Sequence, residues 1–229
     1  MAKKKKQDED VLVDVTDKLS RFERWVDQNK HIVTIVTGAV VLLVGGYFAY
    51  QQFYLKPLEK EAQKEFYRAQ LYFENDSLQL AIRGDGQNLG ALDIASEYGA
   101  TETGNLANYY AGVAYLNAGE FENAIALLDE YKSDDPVLKV IATGAIGDAF
   151  MELDQPEDAL GYYRKAVNSS KANFITPFFL KKAGIAAELN QEYDDALHFY
   201  ERIKKEFPES LQASGIDTYI AYARAQSKS

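Results

Sequence analysis

The alternation of apolar and polar residues divides the chain into two parts. From His31 to Leu55 the sequence HIVTIVTGAVVLLVGGYFAYQQFYL carries no formal charge with His31 neutral, and Lys30 and Lys56 bracket it. Within it, Ile32 to Tyr50 supplies 19 mostly apolar residues. That is close to the roughly 20 an α-helix needs to cross about 30 Å of hydrocarbon. A core helix of this length would carry a polar stripe, and none is present. Trp25 precedes the run, and Tyr47, Tyr50 and Tyr54 gather at its far end, where amphipathic rings favour a membrane–water interface. The run exceeds the roughly 7–15 residues of a secretory h-region, and no small-x-small cleavage site follows it. An uncleaved transmembrane anchor over residues 31–55 is therefore expected.

Beyond Lys56 the apolar residues fall at helical spacing, and one phrase recurs. GEFENAIALL at 119–128 is echoed by QPEDALGYY from Gln155 and QEYDDALHFY from Gln191. Aligned on Ala124, Ala159 and Ala196, the echoes stand 35 and 37 residues apart. Twelve residues before each alanine is a glycine (Gly112, Gly147, Gly184), and four residues after it stands Leu128, Tyr163 or Tyr200. Such a period predicts a solenoid of helix–turn–helix units. The glycines fall midway along each first helix, where a missing side chain lets the second helix approach. The alanines are their small counterparts, and Leu128, Tyr163 and Tyr200 fill the space between adjacent units. Turns are expected at Asn117–Gly119, Leu153–Gln155 and Leu189–Gln191. Glu120, Glu157 and Glu192 then start the second helices, where the dipole favours a carboxylate. Pro136 and Pro208, twelve residues after the first and third alanines, are expected to end their units.

These residues resemble the tetratricopeptide repeat, which has small residues at its eighth and twentieth places, an aromatic at the twenty-fourth and Pro at the thirty-second. On that register the units span 105–138, 140–173 and 177–210. Lys171 stands where the second proline is expected, Leu128 where the first aromatic is, and Ala187 where the third unit usually has a large residue. The fold class is then all-α: one transmembrane helix followed by a tetratricopeptide-repeat α-solenoid. Residues 1–30 form a cytoplasmic tail and 31–55 the anchor. Residues 56–104 hold linking helices and a degenerate first repeat, 105–210 the three repeats and 211–229 a capping helix. In the degenerate repeat, helices at Leu58–Phe73 and Leu89–Tyr98 are joined by a long connection, Asn75–Asn88. The cap is read as one amphipathic helix, Leu211–Gln226, with Ile216, Tyr219, Ile220 and Tyr222.

Composition narrows the function. The 229 residues are 47% hydrophobic and carry a net charge of −10, which suits a packed core and argues against a nucleic-acid partner. No cysteine is present, which removes disulfides and thiolate chemistry together. The two histidines, His31 and His198, lie far apart, so no metal spacing arises. GDGQNLG at 84–90 has the wrong spacing for a phosphate loop and reads as a turn. Asp134-Asp135, Glu157-Asp158 and Asp194-Asp195 sit at turns or helix starts, where solvated caps explain them. Nothing points to an enzyme, a cofactor or a small-molecule substrate.

Protein binding remains as the expected activity. On the repeat register the concave positions are Leu106, Tyr109, Val113, Asn117, Ile141, Asp148, Phe178, Lys181 and Ile185. Their apolar and aromatic character suits a peptide or a partner's helix, although core filling accounts for many of the 16 tyrosines. In the anchor, Thr34 with Gly38 and Gly45 with Ala49 form small-x-x-x-small pairs that would let another membrane helix approach. Lys3–Lys6, Lys18, Arg21, Arg24 and Lys30 precede the span in a short segment, which predicts a cytoplasmic N-terminus and an exported repeat domain.

This layout looks like that of the ancillary subunit of the bacterial SecYEG translocon. The resemblance implies a protein of the bacterial inner membrane with a periplasmic repeat domain. Its membrane helix would dock on translocon channel subunits, and its repeats would meet periplasmic chaperones. Three alternatives stand beside it: a scaffold for outer-membrane assembly or cytochrome c maturation, an anchored enzyme or sensor, and a eukaryotic membrane scaffold.

Overall fold

Among the described residues of this computed structural model every regular element is helical. They are residue 21, residues 24–169, residue 172 and residues 174–228. Most of the expected cytoplasmic tail, including Lys3–Lys6 and Lys18, lies outside them, as do Lys171 and Asn173.

Residues 1–56 and 57–229 form two separate units. The first contains α1, Lys30–Tyr50, followed by a π-helical turn, Gln51–Leu55. Not one residue of α1 is buried; Leu42 and Leu43 are 76% and 75% exposed. By length and composition it could cross a membrane. Tyr50 and Tyr54 stack at 5.2 Å, and Gln51 Nε2 donates to the Tyr47 hydroxyl at 3.0 Å. Thr34, Gly38, Gly45 and Ala49 are exposed.

The second unit is a run of helical hairpins. Its elements are α2 (Lys56–Glu74), α3 (Leu78–Arg83), α4 (Ala91–Glu97), α5 (Glu102–Asn117), α6 (Phe121–Glu130) and α7 (Pro136–Glu152). They continue as α8 (Pro156–Ser169), α9 (Thr176–Leu189), α10 (Tyr193–Glu206), a 3₁₀ turn (Leu211–Ala213) and α11 (Ile216–Gln226).

Four hairpin turns share one backbone geometry. Asp76, Gly119, Asp154 and Gln191 each adopt a positive φ, at 56°, 79°, 58° and 62°. The following N–H reaches back five residues in every case: Ser77 to Tyr72, Glu120 to Tyr115, Gln155 to Phe150 and Glu192 to Ala187, at 2.8–2.9 Å. This is the Schellman closure, which satisfies the last carbonyls of one helix before the next begins. Three of these turns fall where the repeats predict them. The fourth corrects the sequence reading of 75–88 as a long connection, because α3 starts immediately after Asp76 and Ser77.

Each repeat glycine lies beneath a large side chain of its own hairpin. A Cβ on Gly112 would stand 2.7 Å from Leu128 Cγ, one on Gly147 2.6 Å from the Tyr163 ring and one on Gly184 2.2 Å from the Tyr200 ring. Leu128, Tyr163 and Tyr200 therefore seat within their own unit as well as touching the next. Tyr163 also lies 6.1 Å from Phe179, and Tyr200 5.3 Å from Tyr219. Across the same boundary, Arg164 of α8 pairs with Glu192 at 2.8 Å and with Asp195.

Two further expectations are corrected. Pro136 begins a helix rather than ending a unit: Asp135 caps α7 by accepting from Val137 and Leu138 N–H, and Pro136 takes the first position. There its missing N–H removes no intrahelical bond. The C-terminal cap is not one helix from Leu211, because Gly215 (φ 75°) separates the 3₁₀ turn from α11. Ile216 and Ile220 are buried, Tyr219 packs beside them, and Leu211 and Tyr222 face outward.

At the other end, Ala62, Phe66 and Ala69 of α2 bury against Ile94, Tyr98, Ala107 and Ala111. Glu59 ties this junction. Its Oε1 accepts from the Thr103 hydroxyl at 2.6 Å and its Oε2 from the Thr103 N–H at 3.2 Å. It thus caps α5 from another helix, while Thr101 caps the Gly104 N–H. Partial burial alone would raise the Glu59 carboxyl, but the hydroxyl and N–H of Thr103 outweigh it and hold the group below its ordinary value of about 4.5. The unfolded chain therefore binds the extra proton first as pH falls. The stabilisation by Glu59 is full above about pH 4.5 and is lost as pH drops through the lower folded value. Glu59→Gln should flatten the acid limb of the stability–pH curve below that point, as read by thermal unfolding. An unchanged acid limb would remove Glu59 from this role.

Candidate protein-binding groove

Three first helices of successive hairpins, α5, α7 and α9, line one side of the stack. Between them lies an open cleft of about 540 Å³. Its apolar surface comes from Leu116, Phe121, Met151 and Ile185. The polar atoms come from Asn117 at the end of α5, Asp148 and Glu152 on α7, Tyr163 on α8 and Lys182 on α9.

Asp148 is the hub of the polar part. Its Oδ1 accepts from the Tyr163 hydroxyl at 2.6 Å and from Lys182 Nζ at 2.7 Å. Burial pushes the Tyr163 phenol well above its usual range, and the neighbouring Asp148 charge adds to this. The phenol therefore stays protonated and donates. The Lys182 ammonium also lies over the Phe178 ring at 4.6 Å, a cation–π placement that fixes its stem. The result is a rigid charged bridge between the second and third repeats rather than a reactive centre.

The nine expected concave residues do not all meet. Asn117, Asp148 and Ile185 share the cleft. Leu106 packs instead on the N-terminal cluster with Phe66 and Ile94. Tyr109 and Val113 pack on Leu128 and Ile146 between the first two repeats. The Tyr109 ring lies 5.2 Å from Tyr131, and its phenol is pushed up chiefly by burial. Ile141 is half-buried. Phe178 rings against Phe179 at 5.1 Å, and Lys181 lies 4.6 Å over Tyr219 of α11. Leu106, Tyr109, Val113 and Lys181 thus serve contacts between hairpins.

The expected list omitted Leu116, Phe121, Met151, Glu152 and Lys182. For two of them the signal was present. Glu152 follows Asn117, and Met151 follows Leu116, by the same 35-residue period that aligns the alanines. Elsewhere, Gly84 and Gly86 hold positive φ around Asp85, whose side chain accepts from the N–H groups of Gln87 and Asn88, so GDGQNLG is a turn. His198 is exposed. Among the described residues no group of three or more His, Cys, Asp or Glu could hold a metal ion.

A stack of Schellman-closed helical hairpins with a shared lateral cleft defines a repeat scaffold that works by surface contact. Residues 89–137 and 145–210, just over half of the chain, match the tetratricopeptide repeat family, and the chain belongs to it. The matched part extends to residue 89, into the segment that the sequence reading gave to linking helices and a degenerate first repeat. Over 107 residues, 44% of this chain, it is 28% identical to tetratricopeptide repeat protein 29 of Macaca fascicularis. The chain covers 22% of that relative's length. Tetratricopeptide repeats are protein–protein interaction scaffolds, and this chain carries that architecture.

Proposed function

We propose that this protein is a single-pass membrane scaffold whose repeats work outside the cytoplasm, as an accessory subunit of the Sec protein-translocation machinery in the bacterial inner membrane. In this reading α1 docks beside translocon channel subunits and the repeats recruit periplasmic chaperones. No bond is made or broken. Tethering raises the effective concentration of the recruited protein at the exit site.

The observation that carries the membrane part is α1 itself, 21 residues of apolar helix without one buried residue. Such a surface is costly in water and at no cost in hydrocarbon. The basic residues before it support the orientation, and the lateral cleft supports partner binding. The Sec assignment rests on the layout of tail, span and acidic repeat domain.

Affinity purification of the full chain from native membranes, after in vivo crosslinking from position 117, tests both parts. Channel subunits together with a periplasmic chaperone are the expected catch. Recovery of outer-membrane assembly or cytochrome c maturation components without channel subunits would move the protein to another envelope complex. Protease treatment of spheroplasts should digest the repeat domain; protection in intact spheroplasts would overturn the orientation.

A further inference from the structure

We propose that the cleft between α5, α7 and α9 takes an extended polypeptide segment carrying a lysine or arginine beside an aliphatic residue, with Glu152 as the carboxylate that selects the cation. This rests on the protein-binding reading of the cleft and adds the chemistry of its occupant.

The charges in the cleft do not balance. Lys182 is its cation, and that ammonium is already committed to Asp148 at 2.7 Å and to the Phe178 ring. Glu152 borders the same space, is exposed, and makes no hydrogen bond or ion pair with another described residue. Its charged and polar neighbours in the cleft include Asp148, one turn back on α7, and the protonated phenol of Tyr163. An acidic or neutral occupant would displace water from Glu152 and leave that carboxylate uncompensated, whereas a cationic side chain would neutralise it.

The backbone reinforces this sign. Helix α5 ends at Asn117 and α7 at Glu152, so two helix C-termini meet the cleft rim. The carbonyl ends of both helices carry partial negative charge, which favours a cation there. The same bends lead at once into the N-termini of α6 at Phe121 and α8 at Pro156, whose positive ends are met by Glu122 and by Glu157 and Asp158 in their own first turns.

Asn117 decides the conformation of the occupant. Its side chain is exposed and makes no hydrogen bond with another described residue. An amide offers both a donor and an acceptor. An extended segment has a free C=O and N–H to meet them, while a helical segment has spent both internally. Leu116, Met151 and Ile185 then supply the apolar seat for the neighbouring aliphatic side chain.

The test uses the full chain in nanodiscs and terminally blocked peptides of one leucine-containing sequence that differ only in a central Lys, Gln or Glu. Binding is read by fluorescence anisotropy. The Lys peptide should bind about fivefold more tightly than the Glu peptide, the scale of a solvent-exposed ion pair. That gap should narrow as salt is added. Glu152→Gln should close the gap and Glu152→Lys should reverse the order, with the helical circular dichroism of both variants unchanged. Asp129→Asn, in a separate cavity, should leave the preference intact. If Asp129→Asn closes the gap as Glu152→Gln does, the preference belongs to the acidic surface at large and the proposal falls. Equal binding of all three peptides, lost in Leu116→Asp, would keep the groove and overturn the charge selection. Absence of binding by any peptide would overturn both.

Discussion

Gly144→Val is expected to destabilise the repeat domain by about 3 kcal/mol, and Gly144→Ala by about 2 kcal/mol. A Cβ at Gly144 would stand 2.1 Å from Phe179 Cε1 and 2.2 Å from its Cζ. The ring has nowhere to go: Phe179 is 3% exposed, with Tyr163 on one side and Phe178 on another. Here one helix of the second repeat lies directly on the first helix of the third, so the overlap forces two repeats apart. Helix propensity opposes this, since alanine is favoured over glycine by up to about 1 kcal/mol, and the overlap outweighs it. Gly161 supplies the control. It also lies inside a helix, but no atom outside its own helix backbone comes within 4 Å of its would-be Cβ. Gly161→Ala should therefore stabilise, by up to about 1 kcal/mol. Denaturant midpoints of the two alanine variants should move in opposite directions, and movement in the same direction would mean that Phe179 does not seat on Gly144.

If α1 is the membrane anchor proposed above, Val40→Asp combined with Leu43→Asp should release the protein from the membrane. Both positions lie near the middle of α1 and are more than half exposed. An aspartate at the centre of a spanning helix costs about 2.5–3.5 kcal/mol on insertion scales. Two on one face cost roughly 6 kcal/mol together, enough to change partitioning by several orders of magnitude. The same pair on a helix that merely rested on another protein would act only locally. After carbonate washing, the native chain should remain with the membrane pellet and the double variant should appear in the supernatant. Retention of the variant would show that α1 is held by something other than hydrocarbon. Exchanging the two apolar residues, as Val40→Leu with Leu43→Val, should leave fractionation unchanged.

The hairpin architecture was legible because its constraints are steric and local. Gly112, Gly147 and Gly184 must be small where Leu128, Tyr163 and Tyr200 seat, and that demand recurs with the period of the hairpin. Helix α3 was not legible, since its six residues, Leu78–Arg83, hold too few turns to show a period. Its signal was the turn itself: Asp76 holds the backbone position of Gly119, without the glycine that makes such a turn visible in a sequence. Pro136 was ambiguous in principle, because proline both follows helices and starts them. Asp135 before it was the deciding residue, a side chain that accepts from Val137 and Leu138 N–H. The cleft was partly legible. A register locates a face of a helix, so Asn117, Asp148 and Ile185 were found. It cannot show that Tyr109 leans onto Tyr131 or that Lys181 reaches Tyr219, because those contacts depend on how far one hairpin is rotated on the next.

The Schellman closures have a practical corollary for anyone who wants to attach a reporter. Each hairpin bend spends its backbone donors on its own helix, so an added residue at Ala118–Glu120 or Leu153–Gln155 would break a five-residue bond. The stretch between α6 and α7 is under a different obligation. Asn105 grips Lys132 through both its N–H and its carbonyl, and Asp135 starts the next helix; between them the Ser133 hydroxyl accepts from the Asp135 N–H at 3.1 Å, a single side-chain bond. A tag or fluorophore grafted after Ser133 should therefore ride on the stack at the loss of that one bond, leaving the Asn105 clamp and the Asp135 cap in place.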